Sequence, residues 1–460
     1  MNNELKNKKI LVVGMGRSGI AAMETALSLG AEVSVQDNKS LEEIGLQLRK
    51  TLEGNPVKPW LGCVPEDMGA YDMMILSPGV PTDLPMVEEA RAAGVEIIGE
   101  LELAYRLCKG NFIGITGTNG KTTTTTLVGE IYKAAGRETY VVGNIGVAVL
   151  SGAREASVDG WLVTEISSFQ LETTEEFRPE VSAILNLTPD HLNRHKTMEN
   201  YGKAKARIFL RQSRDQYCVI NADDPECFAL TEGCPATVVP FSRRKELAFG
   251  AFVRDGVIMI RDQEGREISF CRADELKIPG SHNLENALAA TAIAHFGGIG
   301  RETITETLRT FAGVAHRIEL VRQIGGVRFV NDSKGTNTDA AIKAIEAMKE
   351  NIILIAGGYD KKADFTPLIE AFDGRVKKAI LMGETAPIIQ KTAEKMGFTE
   401  TEICSGLEEC VVRAWESASP GDVVLLSPAC ASWDMYDNFE QRGEHFRTCA
   451  ERLPYQAVTI

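Results

Sequence analysis

No stretch of this 460-residue chain approaches the roughly 20 consecutive apolar residues that a membrane helix needs. Its ten cysteines include no C-x-x-C pair, which excludes a zinc ribbon and a thioredoxin-type motif. In so long a chain they read as reduced thiols of a cytoplasmic protein. Positive charge is also short: 50 Lys and Arg stand against 64 Asp and Glu, a net charge of −14. A surface this acidic argues against bulk binding to nucleic acid or anionic lipid, so neither nucleic acid nor a membrane is expected as a partner. There is no fixed short repeat and no low-complexity tract. Lys6, Lys8 and Lys9 precede an apolar run over 10–13 that Gly14 ends too early for a signal peptide. With 44% hydrophobic and 25% charged residues the composition is that of an ordinary globular protein, and the length allows about three domains.

What is present is a recurring strand–turn–helix pattern, which predicts an α/β fold of three successive α/β domains. In residues 1–100, a β-branched run over 10–13 meets Gly14-Met15-Gly16-Arg17-Ser18-Gly19 and an Ala-rich helix. Strands over 32–35 and 73–76 end at Asp37 and at Ser77-Pro78-Gly79. In residues 101–313, a strand over 112–115 runs into Thr116-Gly117-Thr118-Asn119-Gly120-Lys121-Thr122-Thr123. More strands follow over 139–142, 161–164, 181–186 and 217–221, then a small antiparallel appendage over about 247–271 with turn signals at Asp255-Gly256 and 262–265, and an Ala-rich helix from 283 to about 295. In residues 314–460, strands over 327–330, 352–355, 378–381 and 423–426 each end in polar or Gly-rich residues, where open parallel sheets bind ligands.

The loop Thr116–Thr123 carries the clearest chemistry. Glycines let the backbone curl so that N–H groups and a helix N-terminus face a phosphate, Lys121 reaches its terminal oxygens, and Thr122 is placed for Mg²⁺. The match to the standard phosphate loop is partial, because Ile115 stands where that pattern has Gly. Five threonines from 122 to 126 are poor helix formers and need another reason to be there. Gly14-x-Gly16-x-x-Gly19 with Asp37 is a dinucleotide-type turn that suits a nicotinamide dinucleotide or a sugar-nucleotide diphosphate equally. Glu165 ends a strand beside the phosphate loop, as a Mg²⁺ ligand or a helix cap. His191 and His195 have i, i+4 spacing, but the glutamate of a zinc-binding helix is missing. Residues 201–208, with Lys203, Lys205 and Arg207, read by themselves as a solvated basic helix face.

These residues together resemble the Mur ligases of peptidoglycan synthesis over essentially the whole chain. The likeness rests on 117–123, 165–170, Asp190-His191, 204–208, His282-Asn283 with Asn286, His316-Arg317, 331–337, Gly357-Gly358 with Lys361, and 427–432 with Asn438-Phe439-Glu440. Asn119 and the absence of an Asp-Asn-Pro-Arg motif fit the branch that adds D-glutamate. Trp433 follows Ser432 where relatives often carry a smaller aliphatic residue, and Asn38 stands where threonine is usual. The resemblance implies a Rossmann-like UDP-binding N-terminal domain, a central P-loop ATPase-like domain, and a Rossmann-like C-terminal domain that completes the ATP site and receives the amino acid. It implies an ATP-dependent ligase with UDP-N-acetylmuramoyl-L-alanine and D-glutamate as substrates, working through an acyl phosphate, and a monomer. Residue by residue, it assigns Arg17, Ser18, Asp37, Asn38, Ser77, Gly79 and Asn144 to the UDP substrate. Gly117, Thr118, Asn119, Gly120, Lys121, Thr122, Thr123, Asn283, Asn286, Arg317, Asp332 and Lys334 go to ATP. Thr122 and Glu165 would hold one Mg²⁺, His191 and a carbamylated Lys205 a second, with Lys121, His191 and Lys205 catalytic. Thr336, Lys361, Ser432 and Phe439 would receive D-glutamate.

Overall fold

The short apolar runs fold into three parallel-rich sheets wrapped in helices; the computed structural model describes residues 5–454 apart from 279 and 350. The chain divides into two compact units, Met1–Glu275 with Glu285–Thr310, and Leu276–Leu284 with Phe311–Ile460.

The first unit holds two sheets. Strands β1 (Lys9–Val13), β2 (Glu32–Asp37), β3 (Lys58–Leu61), β4 (Met73–Leu76) and β5 (Glu96–Gly99) pair in the order β3-β2-β1-β4-β5, all parallel. Every residue of β4 and all but the first of β1 are buried, as strands covered on both faces must be. The order reverses between β1 and β4, so their carboxyl ends open a crevice.

The second sheet contains β6 (Asn111–Thr116), β7 (Thr139–Gly143), β8 (Trp161–Glu165), β9 (Val181–Ile184), β10 (Tyr217–Asn221), β11 (Thr237–Ser242), β12 (Gly250–Arg254), β13 (Val257–Arg261) and β14 (Glu267–Arg272). Its order is β14-β13-β12-β11-β10-β9-β6-β8-β7. The antiparallel strands read as an appendage continue this sheet, because β12 pairs in parallel with β11 through Phe241 and Ser242. Ile98, Leu101, Ala104, Phe112, Leu162 and Phe177 belong to one core that both sheets share. Tyr105, Phe112 and Phe177 meet edge-to-face with centroids 5.6–5.7 Å apart. The boundary read near residue 100 therefore separates two sheets that pack as a single unit.

The second unit is built on β15 (Glu319–Ile324), β16 (Val327–Asn331), β17 (Ile352–Ala356), β18 (Val376–Leu381), β19 (Thr401–Ile403) and β20 (Val423–Leu426), in the order β15-β16-β20-β17-β18-β19. Only β15 runs antiparallel. Separate apolar layers, around Leu354 on one face and Ile355 on the other, cover its two sides.

Candidate active site

β6 lies between β8 and β9, and the loop after it carries the phosphate-loop residues. Gly117 has φ 151° and Gly120 φ 82°, and a Cβ on Gly120 would overlap Asn286 Oδ1, so both positions need glycine. The loop is braced from the segment after β9. Asn186 accepts the Asn119 amide at 2.8 Å and donates to Asn119 O at 3.0 Å, while Thr118 Oγ1 bonds to the Thr188 backbone at 3.0 and 3.1 Å. Lys121 opens the helix Lys121–Ala134 and folds back, donating to Gly117 O at 2.8 Å and Thr118 O at 2.7 Å. The threonine run explains itself here. Thr122, Thr123, Thr124 and Thr125 are all buried, so they serve as compact β-branched packing, and Thr124 Oγ1 also reaches Asn286 at 3.4 Å.

At the end of β8 the Glu165 carboxylate is buried between two donors, the Thr122 hydroxyl at 2.7 Å and the Asn144 amide at 2.9 Å. Asn144, assigned to the UDP ligand by resemblance, thus has its side chain on Glu165. Lys205 is the larger surprise for the reading of a solvated face. Neighbouring Lys203 is exposed, but Lys205 is 1% exposed, with its amine 2.8 Å from Gly117 O and over the Tyr201 ring. Residues two apart on a helix point about 200° apart, which is how one basic stretch supplies a surface lysine and a core lysine. Burial, and then the charge of Lys121, hold the Lys205 amine far below the usual lysine range. Both amines share a single carbonyl oxygen.

His191 sits in left-handed conformation (φ 55°) at the N-cap of the short helix Leu192–His195, its ring against Phe169 and 3.6 Å from the Asp190 carboxylate. His195 is buried, bonded to Ser168 at 2.9 Å and facing Glu172 at 3.4 Å, and burial lowers its pKa. The two histidines are therefore engaged separately. Among the described residues no group of three or more His, Cys, Asp or Glu side chains is arranged to hold a metal. The oxygens that fit a hard cation are those of Thr122 and Glu165.

A cavity of about 420 Å³ lies at the carboxyl ends of β1 and β4, and Arg17, Ser18, Asp37, Asn38, Ser77 and Gly79 all line it. Asp37 holds the glycine turn itself, accepting the amides of Met15 at 2.8 Å and Lys39 at 3.0 Å. Ser77 donates to Gly14 O at 2.6 Å, and a Cβ on Gly19 would overlap Gly14 O. Arg17 reaches Gly146 O at 2.7 Å, in the loop that carries Asn144. Arg194 grips Pro78 O, Val80 O and Glu172 while lying over Phe169. Sequence reasoning missed Arg194, Asn186 and Tyr201, since each acts through contacts between segments far apart in the chain.

In the second unit Asp332 is fully buried after β16. It accepts Ser427 Oγ at 2.7 Å and Ile318 N at 3.3 Å, with Arg317 3.4 Å away, and burial pushes its carboxyl up against those contacts. Lys334 lies 4.5 Å over the Phe439 ring. Lys361 lies 5.6 Å over Trp433, which is 64% exposed and paired with Tyr359. Buried Arg442, also unforeseen, donates to Ser333 O at 2.8 Å, Cys430 O at 3.1 Å and Ala431 O at 3.3 Å, tying the Asp332 loop to the loop that carries Ser432. Thr336 and Ser432 belong to these two loops, and Asn283 lies in the first turn of the helix Ser281–Phe296, whose residues up to Leu284 belong to this unit.

Comparison with known proteins follows the same order along the chain. The families described as "Mur ligase MurD-like, N-terminal domain", "Mur ligase middle domain" and "Mur ligase, glutamate ligase domain" match residues 8–99, 115–294 and 316–430. The chain is 52% identical over 453 residues to a UDP-N-acetylmuramoylalanine–D-glutamate ligase of Alkaliphilus oremlandii, covering 98% of this chain and 99% of that one. It is 48% identical to the protein of the same name from Clostridioides difficile, covering 98% and 100%. Among solved structures, UDP-N-acetylmuramate-alanine ligase MurC from Thermotoga maritima (TM-score 0.61, 20% identity, 97% and 99% covered) and a pseudomurein peptide ligase type C from Methanothermus fervidus (TM-score 0.59, 19% identity, 97% and 100% covered) share the fold.

Proposed function

This chain belongs to the Mur ligase family, and from that premise we propose that it joins D-glutamate to UDP-N-acetylmuramoyl-L-alanine, converting ATP to ADP and phosphate in peptidoglycan precursor synthesis. One observation carries the reading: the phosphate-loop lysine, the Thr122–Glu165 pair and a buried second lysine converge at the carboxyl ends of the neighbouring strands β6 and β8.

The chemistry follows from what an amide needs. A carboxylate does not yield to an amine in water because its oxygen leaves poorly. One carboxylate oxygen of the alanyl group attacks the γ-phosphorus of ATP and ADP departs. The amine of D-glutamate then attacks the acyl carbon, phosphate leaves with that oxygen, and the nitrogen loses a proton. The first step sets an anionic acid against an anionic triphosphate, a repulsion that grows as water is excluded. Lys121 and Arg317 are assigned to neutralising it, with Lys121 on the γ-phosphate. Mg²⁺, when bound, would supply positive charge that offsets this repulsion. Thr122 and Glu165 would hold one ion. His191 and Lys205 would hold a second, Lys205 as a carbamate rather than a cation, and the depressed pKa of its amine favours the neutral form that reacts with carbon dioxide.

The cavity over β1 and β4 is assigned to the uridine diphosphate moiety, with Asn144 completing it or holding Glu165 in place. Asn286 in the first unit, and Asn283, Arg317, Asp332 and Lys334 in the second, are assigned to nucleotide. Thr336, Lys361, Ser432 and Phe439 are assigned to D-glutamate. On this reading the chain works as a cytoplasmic monomer of three domains, 1–100, 101–313 and 314–460; among the described residues no helix is long and apolar enough to cross a membrane. The test is phosphate release from purified protein with ATP, Mg²⁺, UDP-N-acetylmuramoyl-L-alanine and a panel of amino acids. Release that requires both partners and is strongest with D-glutamate supports the proposal. Release indifferent to either partner overturns it.

A further inference from the structure

A second cavity, of about 330 Å³, shares no lining residue with the first and lies in the first unit between the segment after the short helix Ser168–Leu171 and the end of the helix Met198–Ala206. Its walls are Thr174, Glu175, Phe177, Arg207, Leu210 and Arg211. The two arginines stand four residues apart, at the start of the 3₁₀ turn Arg207–Phe209 and just after it, and each is fixed on backbone carbonyls. Arg207 donates through Nε to Leu171 O at 2.7 Å and through Nη2 to Thr174 O, and Arg211 donates through Nε to Glu175 O at 2.7 Å. These bonds leave Nη1 of Arg207 and both Nη groups of Arg211 without a hydrogen-bond partner among the described residues, and neither guanidinium is ion-paired there.

The opposite wall is held just as firmly. Buried Glu102 accepts the amides of Glu175 at 2.9 Å, Glu176 at 2.9 Å and Phe177 at 3.2 Å, while its own charge is met by Arg106 at 2.9 Å. Glu102 therefore spends its acceptors on the backbone and on Arg106, which leaves the charge of Arg207 and Arg211 uncompensated from that side. The one carboxylate among the lining residues, Glu175, is exposed. The cavity is large for a bare ion and suited to a small organic molecule. Arg211 keeps its two Nη groups and Arg207 keeps Nη1, charged donors of the kind that bind planar or tetrahedral oxyanions.

We propose that this cavity binds a small oxyanion of phosphate or carboxylate chemistry, held between Arg207 and Arg211. The site is separate from the phosphate loop, and the proposal does not depend on the ligase reading. A ligand there would brace the segment 171–177, which carries Glu172, against the chain two residues beyond Lys205.

Calorimetric titration with inorganic phosphate and, separately, with citrate tests this, using the full chain with Mg²⁺ and a saturating non-hydrolysable ATP analogue so that the Lys121 loop is filled. The expected result is one equivalent of at least one of the two anions, weakened about tenfold or more in Arg211→Ala, partly restored in Arg211→Lys, and weakened by added salt. Phosphate alone would identify a phosphomonoester-type ligand and citrate alone a polycarboxylate. No binding of either anion to the wild-type chain, or binding that Arg211→Ala leaves unchanged, overturns the proposal.

Discussion

Glu100 offers the sharpest test of how the first unit is held together. It opens the helix Glu100–Leu107 just after β5 and reaches across to the second sheet, where Oε1 accepts the Leu150 amide at 2.7 Å at the start of the helix Val149–Glu155. The residue is 2% exposed, and Oε2 is buried with no hydrogen-bond partner among the described residues. Burial outweighs the pull of the Leu150 amide and pushes the carboxyl from 4.5 up to about 7. Between those two values the folded chain keeps a proton that the unfolded chain has lost. Stability therefore falls as pH rises through that window and levels off above it. At about 1.4 kcal/mol per pKa unit, the loss between pH 5 and pH 8 is about 2.5 kcal/mol. Glu100→Gln keeps the shape and the acceptor but cannot ionise, so it lacks this slope. Urea unfolding, followed through Trp60 and Trp161 with Trp415 and Trp433 replaced by phenylalanine, should show the variant gaining about 2–3 kcal/mol on the parent from pH 5 to pH 8. Parallel pH profiles for the two proteins would refute the assignment of a buried, protonated carboxyl to this junction.

Two further outcomes follow from the site. Lys205→Ala should lower ligation by about 100-fold or more, with no recovery in high bicarbonate, because the atom that would be carbamylated is gone; near-normal turnover would discard the carbamate role. Lys361→Ala should raise KM for D-glutamate by roughly 10- to 100-fold, the worth of one charge-assisted hydrogen bond, with a smaller effect on kcat; an unchanged KM would move the amino-acid site elsewhere.

The sequence was most legible where one physical rule acts alone. Strands β1, β4, β6, β17 and β20, buried throughout or at all but their first residue, are largely apolar runs ending in turn residues, and at their ends lie the cavity, the phosphate loop and the loops that carry Gly357 and Ser427. Strands β3 and β11 were not legible, because Pro59 and Pro240 interrupt them. β3 tolerates its proline as an edge strand, and β11 tolerates its own between β10 and β12. Neither β15, partly exposed along most of its length, nor the three-residue β19 shows a continuous apolar run. In the site, Glu165, Lys121 and the glycines were legible from spacing. The burial of Lys205 was not, because a helix shows its core face only once its packing partner is known. Arg194 and Arg442 escaped for a related reason: each acts on backbone carbonyls, to which no motif corresponds.

The central claim is that the acid is activated by phosphorylation before the amine arrives. The most direct measurement uses UDP-N-acetylmuramoyl-L-alanine labelled with ¹⁸O in the alanyl carboxylate and follows the label by mass spectrometry of the released phosphate. One ¹⁸O is expected in each phosphate formed, with one phosphate per amide. Phosphate free of label alongside the joined product, or joined product without ATP consumption, would contradict it.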